Sequence, residues 1–405
     1  MSAMDLKNTL AALAQGTDKI TSENELLAKL THSQETGNPL RVKLGIDVSG
    51  PDIHLGFAVV LRKLRQFQDF GHTAVLIIGD FTGKIGDPTG RSKTRPQLTE
   101  QEIKRNMARY KEQVFKILIP EKTEFKYNSE WSNPLTSRDL INLGSKYTVA
   151  RILEREDFSE RLKQGLPLYI HEILYPLFQG YDSVAVKADI ELGGADQYWN
   201  LLVGRELQRE FNQGPQVVIT MPLLEGTDGK LKMSKSYNNY IGIAEPVKEI
   251  FGKIMSIPDE MIIKYFQLCT NLSETEIKQI DAEMKSGKNP KIYKERLGKE
   301  IVSLYYSNED AEIVSKEFDE VFKQKKIPQD IMEFVSPSNK INIVELLVLT
   351  KLLPSKSEAR RKITEGAVEI DGEKIKDINF ELIIEKPLII KVGKRKFCRI
   401  LPPEQ

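Results

Sequence analysis

The sequence predicts an α/β protein, with an open parallel sheet interrupted by a helical insertion, then an α-helical segment and a small α+β module. Three observations carry this. Two strand–helix–strand units flank a stretch of helical periodicity; residues 244–325 read as helix almost throughout; and residues 341–405 read as two short helices followed by short strands around an Asp-Gly turn. The 405 residues suffice for two or three domains.

Residues 5–32 alternate apolar and polar positions at helical spacing and are expected as one or two leading helices. Arg41-Val42-Lys43-Leu44-Gly45-Ile46-Asp47-Val48 reads as a strand and Ser49-Gly50-Pro51-Asp52 as a turn. Residues 55–70 have helical period and stop at Gly71-His72. Residues 73–81 are apolar and branched, a buried strand. Strand, helix and strand in about 40 residues signals a parallel unit, because parallel strands need a crossover. The second unit is a strand at 185–192, a helix at 196–211 and a strand at 216–220, with a mainly helical insertion near 97–180 between the two. The helical segment breaks at Ile257-Pro258, Ser286-Gly287 and Ser307-Asn308. Two short helices, near 343–351 and 355–365, precede Val368-Glu369-Ile370-Asp371-Gly372-Glu373-Lys374-Ile375, a hairpin signal, and 388–392 and 397–401 add strand. The expected division is 1–240, 241–325, a linker at 326–340, and 341–405.

Composition narrows the function. Hydrophobic residues make up 40%, charged residues 29%, and the net charge is +1, as in an ordinary globular protein with no strong field for DNA or a membrane. Residues 1–20 hold no apolar core for a signal peptide, and no uncharged apolar run approaches the ~20 residues of a membrane span. Cys269 and Cys398 have no metal or redox spacing and read as ordinary thiols of a cytoplasmic protein.

Two segments carry chemistry. Asp52-Ile53-His54-Leu55-Gly56-Phe57 sits between a strand and a helix, at the carboxyl edge where open parallel sheets bind ligands. A helix N-terminus there offers amide donors and a positive dipole end, suited to phosphate, and His54 adds a donor. Gly56 would let a ligand ring approach the backbone closely. Gly226-Thr227-Asp228-Gly229-Lys230-Leu231-Lys232-Met233-Ser234-Lys235-Ser236 follows the last strand of the sheet. Its lysines place positive charge on a polyphosphate and its serines add hydroxyl donors. Composition alone would allow a solvated lysine loop or a capping histidine. The order of residues is more specific.

Lys232-Met233-Ser234-Lys235-Ser236 is the KMSKS signature of class I aminoacyl-tRNA synthetases, and His54-Leu55-Gly56 resembles their HIGH signature. Within the class, Gly83-Lys84-Ile85-Gly86-Asp87-Pro88-Thr89-Gly90-Arg91, Tyr175-Pro176-Leu177-Phe178-Gln179-Gly180-Tyr181-Asp182 and Leu192-Gly193-Gly194-Ala195-Asp196-Gln197 resemble the tyrosyl-tRNA synthetases, from about residue 35 to the C-terminus. The resemblance implies a Rossmann-like catalytic domain, an α-helical anticodon-binding domain and a C-terminal RNA-binding module. It implies that tyrosine is activated with ATP, magnesium accompanying the ATP, and passed to the 3′ end of tRNA(Tyr). His54, Lys232 and Lys235 would act at the reacting phosphates, with Asp47, Gly56, Asp196 and Ser234 also binding ATP, Asp196 at the ribose. Asp182 would take the tyrosine phenol, Tyr175, Gln179 and Asp87 its ammonium, and Gln197 would face its carboxylate. From Lys351 onward thirteen Lys and Arg stand against nine Asp and Glu, and Lys356, Arg360, Arg361 and Lys362 cluster on one helix for RNA phosphates. A homodimer through the insertion is implied by resemblance alone. No metal ligand set is expected on the protein.

The chain also departs from the pattern. Phe57 stands at the second histidine of HIGH and cannot donate a hydrogen bond to phosphate. Gly45-Ile46-Asp47-Val48-Ser49 replaces a Gly-Phe-Asp-Pro-Thr run, Ala195 replaces a hydroxyl residue, and Lys43 occupies a position where one subgroup places a phenol-binding tyrosine. These departures keep open a ligase for a tyrosine analogue, or an RNA-binding relative with weak or no catalysis.

Overall fold

The computed structural model describes residues 3–46, 52–86, 100–323, 331–393 and 396–403. It divides into two compact units, Met1–Val314 and Ser315–Gln405. The helical segment after residue 240 therefore belongs, up to residue 314, to the same unit as the sheet.

The first unit is built on six strands: β1 (Lys19–Ile20), β2 (Arg41–Ile46), β3 (Thr73–Ile78), β4 (Thr123–Tyr127), β5 (Ile190–Gly194) and β6 (Val217–Met221), in the order β1-β6-β5-β2-β3-β4. All neighbours are parallel except β1, which runs antiparallel to β6. Every residue of β6 and all but the first of β3 are buried, as expected of parallel strands covered on both faces. The crossover from β2 to β3 runs one way along the sheet and that from β5 to β6 the other. Right-handed crossovers therefore put helix Leu55–Asp69 and helix Tyr198–Glu210 on opposite faces and open a crevice between the carboxyl ends of β2 and β5.

Two expectations are corrected, the strand start at 185 and the linker at 326–340, and two are extended by a short strand each. The first strand of the second strand–helix–strand repeat begins at Ile190, not 185, because helix Ile170–Val186 continues through Ala185 and packs Val186 against Val75 and Ile77 of β3. The insertion is not only helical: β4 extends the sheet beyond β3, residue for residue from Ala74↔Thr123 to Ile78↔Tyr127. A two-residue strand, β1, separates the leading helices Ala3–Ala14 and Glu23–Thr36. The stretch 326–340 contains a strand, β7 (Met332–Val335), paired in parallel with residues 398–401. Residues 324–330 lie outside the described set.

The helical segment comprises helices Val247–Met255, Ile262–Cys269, Glu274–Lys285, Pro290–Tyr305 and Asn308–Lys323, broken at the three expected places and also at residues 270–273, which the pattern did not mark. Ser273 and Glu276 cap the third of these reciprocally. Among the described residues no helix is long and apolar enough to cross a membrane.

In the second unit, β7 joins β9 (Val368–Ile370), β10 (Glu373–Ile375), β12 (Leu388–Val392) and β13 (Lys396–Leu401) in the order β10-β9-β12-β13-β7, while β8 (Lys340–Asn342) pairs with β11 (Glu381–Ile383). The expected hairpin is β9–β10; its two turn residues, Asp371 and Gly372, both have positive φ, the requirement of a tight hairpin turn. Helices Ile343–Leu349 and Lys356–Thr364 cover a core of Ile343, Leu346, Leu347, Ile363, Ile390 and Ile400.

Candidate active site

Three chain segments leave the carboxyl ends of the neighbouring strands β2, β5 and β6 and meet there. After β2, residues 47–51, including Asp47, lie outside the described set. The chain resumes at Asp52 and is zipped to the segment that follows KMSKS: the Leu55 N–H donates to the Ile241 carbonyl and the Ile243 N–H to the Ile53 carbonyl, each at 2.9 Å. The Gly56 N–H points at the Met233 sulfur, 3.3 Å away. The two signatures thus form one surface.

His54 caps helix Leu55–Asp69: its Nδ1 accepts the Phe57 N–H at 3.2 Å. An Nδ1 that accepts leaves the ring proton on Nε2, so the capping role and the donor role belong to opposite nitrogens of one neutral ring. Burial, reinforced by Lys235, lowers its pKa to about 4 and keeps it neutral.

Lys232 Nζ lies 2.7 Å from Asp196 Oδ2, joining two residues expected at different parts of ATP. Asp196 sits in the short turn Ala195–Gln197 just past β5. Lys235 Nζ stands 5.5 Å from the centre of the Tyr110 ring. Ser234 caps the turn Lys235–Tyr237, its Oγ accepting the Ser236 N–H.

Below this edge, Tyr175, Gln179 and Asp182 share one face of helix Ile170–Val186, spaced i, i+4, i+7. Asp182 is 4% exposed; Oδ1 accepts from Trp131 Nε1 at 2.8 Å and Oδ2 from Asn128 Nδ2 at 3.4 Å. Desolvation raises its pKa to about 7, against the pull of Lys43 and of those two donors. Gln179 Oε1 is buried without a hydrogen-bond partner, an acceptor suited to an ammonium. Gln197 Oε1 accepts from Asn200 Nδ2 at 3.0 Å, and Asn200 Oδ1 from Arg155 at 3.3 Å. Asp87 lies outside the described residues.

Lys43 does not reach into the pocket as a phenol ligand would. It is 1% exposed and lies directly opposite Glu191 in the β2–β5 register, Nζ 2.7 Å from Glu191 Oε1, 2.7 Å from Ser183 Oγ and 3.2 Å from the Gln179 carbonyl. Ser183 and Gln216 donate to the other Glu191 oxygen. Sequence reading marked Lys43 as a departure but missed its partners. The available signal was a charged residue in the middle of each of two apolar parallel strands. Trp131, Asn128 and Asn239 were missed as well, and no spacing announces them.

In the second unit the basic cluster is on helix Lys356–Thr364 as expected. Lys356 pairs with Glu345, Arg361 with Glu358 and Glu365, and Lys362 with Glu365.

A helix-capping histidine and a lysine loop thus meet over the switch point of a parallel sheet. The chain belongs to the class I tRNA synthetases: the family described as tRNA synthetases class I (W and Y) matches residues 34–323. The tyrosine–tRNA ligase SYY-like C-terminal domain matches residues 318–400. The chain is 53% identical to the tyrosine–tRNA ligase of Thermotoga maritima over 94% of each chain, and 50% identical to that of Aquifex aeolicus over 98% of this chain and 100% of the relative. Within the class it therefore stands among the tyrosine–tRNA ligases, aminoacyl-tRNA synthetases that use ATP. The tyrosyl-tRNA synthetase of Archaeoglobus fulgidus, solved in complex with L-tyrosine, shares the fold with a TM-score of 0.62 over 77% of this chain and 100% of its own, at 22% identity.

Proposed function

We propose that the edge formed by β2, β5 and β6 is where this tyrosine–tRNA ligase joins tyrosine to ATP and then to tRNA(Tyr). The observation that carries this is the meeting of the His54 cap and the 232–236 loop above Tyr175, Gln179 and Asp182. The tyrosine carboxylate attacks the α-phosphate, pyrophosphate departs, and the tRNA ribose hydroxyl takes the tyrosyl group. The protein aligns the reactants and stabilises charge on the displaced phosphates. His54 Nε2–H donates to the reacting phosphates, and Lys232 and Lys235 hold the departing pyrophosphate, with Ser234, Gly56 and Asp47 around the nucleotide. The partly exposed Lys232–Asp196 pair is of the kind worth about 0–1 kcal/mol. ATP can therefore exchange it, its ribose taking Asp196 and its phosphates Lys232. The positive and hydroxyl-bearing donor set suits phosphate rather than a cation, so magnesium would arrive on phosphate oxygens.

In the pocket, Asp182 accepts the phenol hydroxyl, Gln179, Tyr175 and Asp87 take the ammonium, and Gln197 faces the carboxylate. Rejection of phenylalanine would follow from the loss of the phenol's hydrogen bond to the buried Asp182, which keeps only Trp131 and Asn128 as donors. Tyrosyl-tRNA synthetases are a known instance of this kind of discrimination, and its size belongs to that family rather than to a deduction from this structure. Residues 241–325 would serve the anticodon end, and Lys356, Arg360, Arg361 and Lys362 would contact RNA phosphates. A homodimer through the insertion is supported by its exposed apolar side chains: Ile141 and Ile170 are 73% and 71% exposed, with Val149, Leu162 and Tyr169 also on the surface. A cytoplasmic setting suits its two free, buried cysteines.

Pyrophosphate exchange with a panel of aromatic amino acids tests the reading. Tyrosine should support exchange. Exchange with an analogue but not tyrosine would replace the substrate, and exchange with none would remove catalysis.

A further inference from the structure

The loop carrying Lys232 and Lys235 closes around one side chain that takes no part in the proposed chemistry. Asn239 is 3% exposed. Its Oδ1 accepts the Ser234 N–H at 2.9 Å, and its Nδ2 donates to the Leu231 and Lys232 carbonyls, each at 3.3 Å, and to Asp228 Oδ2 at 3.1 Å. Its own carbonyl accepts the Thr227 N–H at 2.9 Å. One amide, with one acceptor and two N–H donors, therefore ties down both arms of the loop.

The opposite wall is equally specific. A Cβ at Gly226 would fall 2.2 Å from Asn239 Cγ, so only glycine lets the chain pass. Asp228 completes the turn, its Oδ1 accepting the Lys230 and Leu231 N–H groups. Met233, between the two pinned residues, gives its N–H to the Leu224 carbonyl, and its sulfur accepts the Gly56 N–H. The Lys232 carbonyl and the Ser234 N–H flank Met233, so the amide fixes the backbone from which Lys232 and Lys235 project.

We propose that Asn239 is the positioning residue of the ATP-binding loop: by fixing the Lys232 carbonyl and the Ser234 N–H it sets where the two lysines meet the phosphates. This rests on the assignment of those lysines to ATP. Asn239 touches no substrate and acts through the loop backbone. A loop freed by about 1 Å loses rate out of proportion to its fold, since misplacement of that size can cost about 100-fold.

The test uses the full-length chain with Asn239→Ala, Asn239→Asp and Lys235→Ala, read by pyrophosphate exchange against both substrates, thermal unfolding, and the rate of tryptic cleavage within residues 230–235. Asn239→Ala should lower kcat/KM for ATP by about 100-fold, leave the tyrosine KM within about twofold, and speed cleavage in the loop. Asn239→Asp retains the acceptor for Ser234 but loses the donors and faces Asp228, so it should be at least as slow. If Asn239→Ala unfolds the enzyme, the near-isosteric Asp variant carries the test. An Asn239→Asp enzyme that folds with kcat and ATP KM unchanged, while Lys235→Ala is slow, would overturn the proposal. Equal rises in the KM values for tyrosine and ATP would also overturn it by making Asn239 merely structural. An unchanged Lys235→Ala would instead remove the lysine assignment on which it rests.

Discussion

Lys43→Met is the most informative single change to the fold beneath the pocket. It replaces the ammonium with an apolar chain of similar length and leaves Glu191 buried. Both side chains of the pair are at most 2% exposed, with Nζ and Oε1 2.7 Å apart. Removing one partner of such a pair costs about 3–5 kcal/mol, because the remaining charge is uncompensated. Glu191 would keep the bonds from Ser183 and Gln216, which favours the lower end, about 3 kcal/mol. That is a large share of the roughly 5–15 kcal/mol by which domains are stable. The assay is urea unfolding read by tryptophan fluorescence, since Trp131 and Trp199 are the chain's two tryptophans and both lie in the first unit. Lys43→Met with Glu191→Gln removes both charges and should recover all but about 1 kcal/mol, far less than the sum of the two single losses, since Glu191→Gln alone strands the buried ammonium in turn. Additive losses, or a single variant within about 0.5 kcal/mol of the parent, would refute the claim that the pair is a unit.

Asp182 should make tyrosine use pH-dependent. Burial lifts its pKa to about 7, and the ionised form accepts the phenol, so kcat/KM for tyrosine should rise with pH through about 7; Asp182→Asn should flatten that limb. The same raised pKa makes the native state bind the extra proton, so this group's contribution to stability should fall as pH rises from the ordinary carboxyl range to about 7, seen in unfolding midpoints. Phe57→His should speed adenylate formation by about tenfold if the lost phosphate donor limits it, that being the scale of a hydrogen bond to a charged group. Removing residues 324–405 should cut tRNA charging by at least about tenfold through lost phosphate contacts and leave pyrophosphate exchange within about twofold. A cut at 341 would leave β7 without its partner β13 and should give a less soluble product on expression.

The parallel units were legible because the period changes cleanly between residues 41 and 78: β2, helix Leu55–Asp69 and β3 fall where pattern and turn residues put them. The hairpin at Asp371-Gly372 was legible for the same local reason. What escaped depends on distant partners. β4 and β7 are short, largely unburied strands on sheet edges, and only pairing with β3 or with β13 makes them strands. The apolar Ala185-Val186 pair suits strand or helix equally, and the β3 surface decides it. At the site, the signature residues were read from their order, whereas Lys43 opposite Glu191 is a matter of cross-strand register. Asn239 is a matter of loop closure, and neither leaves a local pattern.

The Lys43–Glu191 pairing also bears on how the sheet assembles. β2 and β5 are separated by more than 140 residues of chain, and parallel strands so far apart must find their alignment late and without help from a turn. Sliding one strand by a single residue would set Lys43 beside Ile190 or Leu192 and bury both charges without partners. Apolar strands alone would tolerate that slip far better. The pair therefore acts as a gauge that rejects misaligned sheets, and because Ser183 and the Gln179 carbonyl are tied to the same ammonium, a chain that passes it has also docked the pocket helix in place.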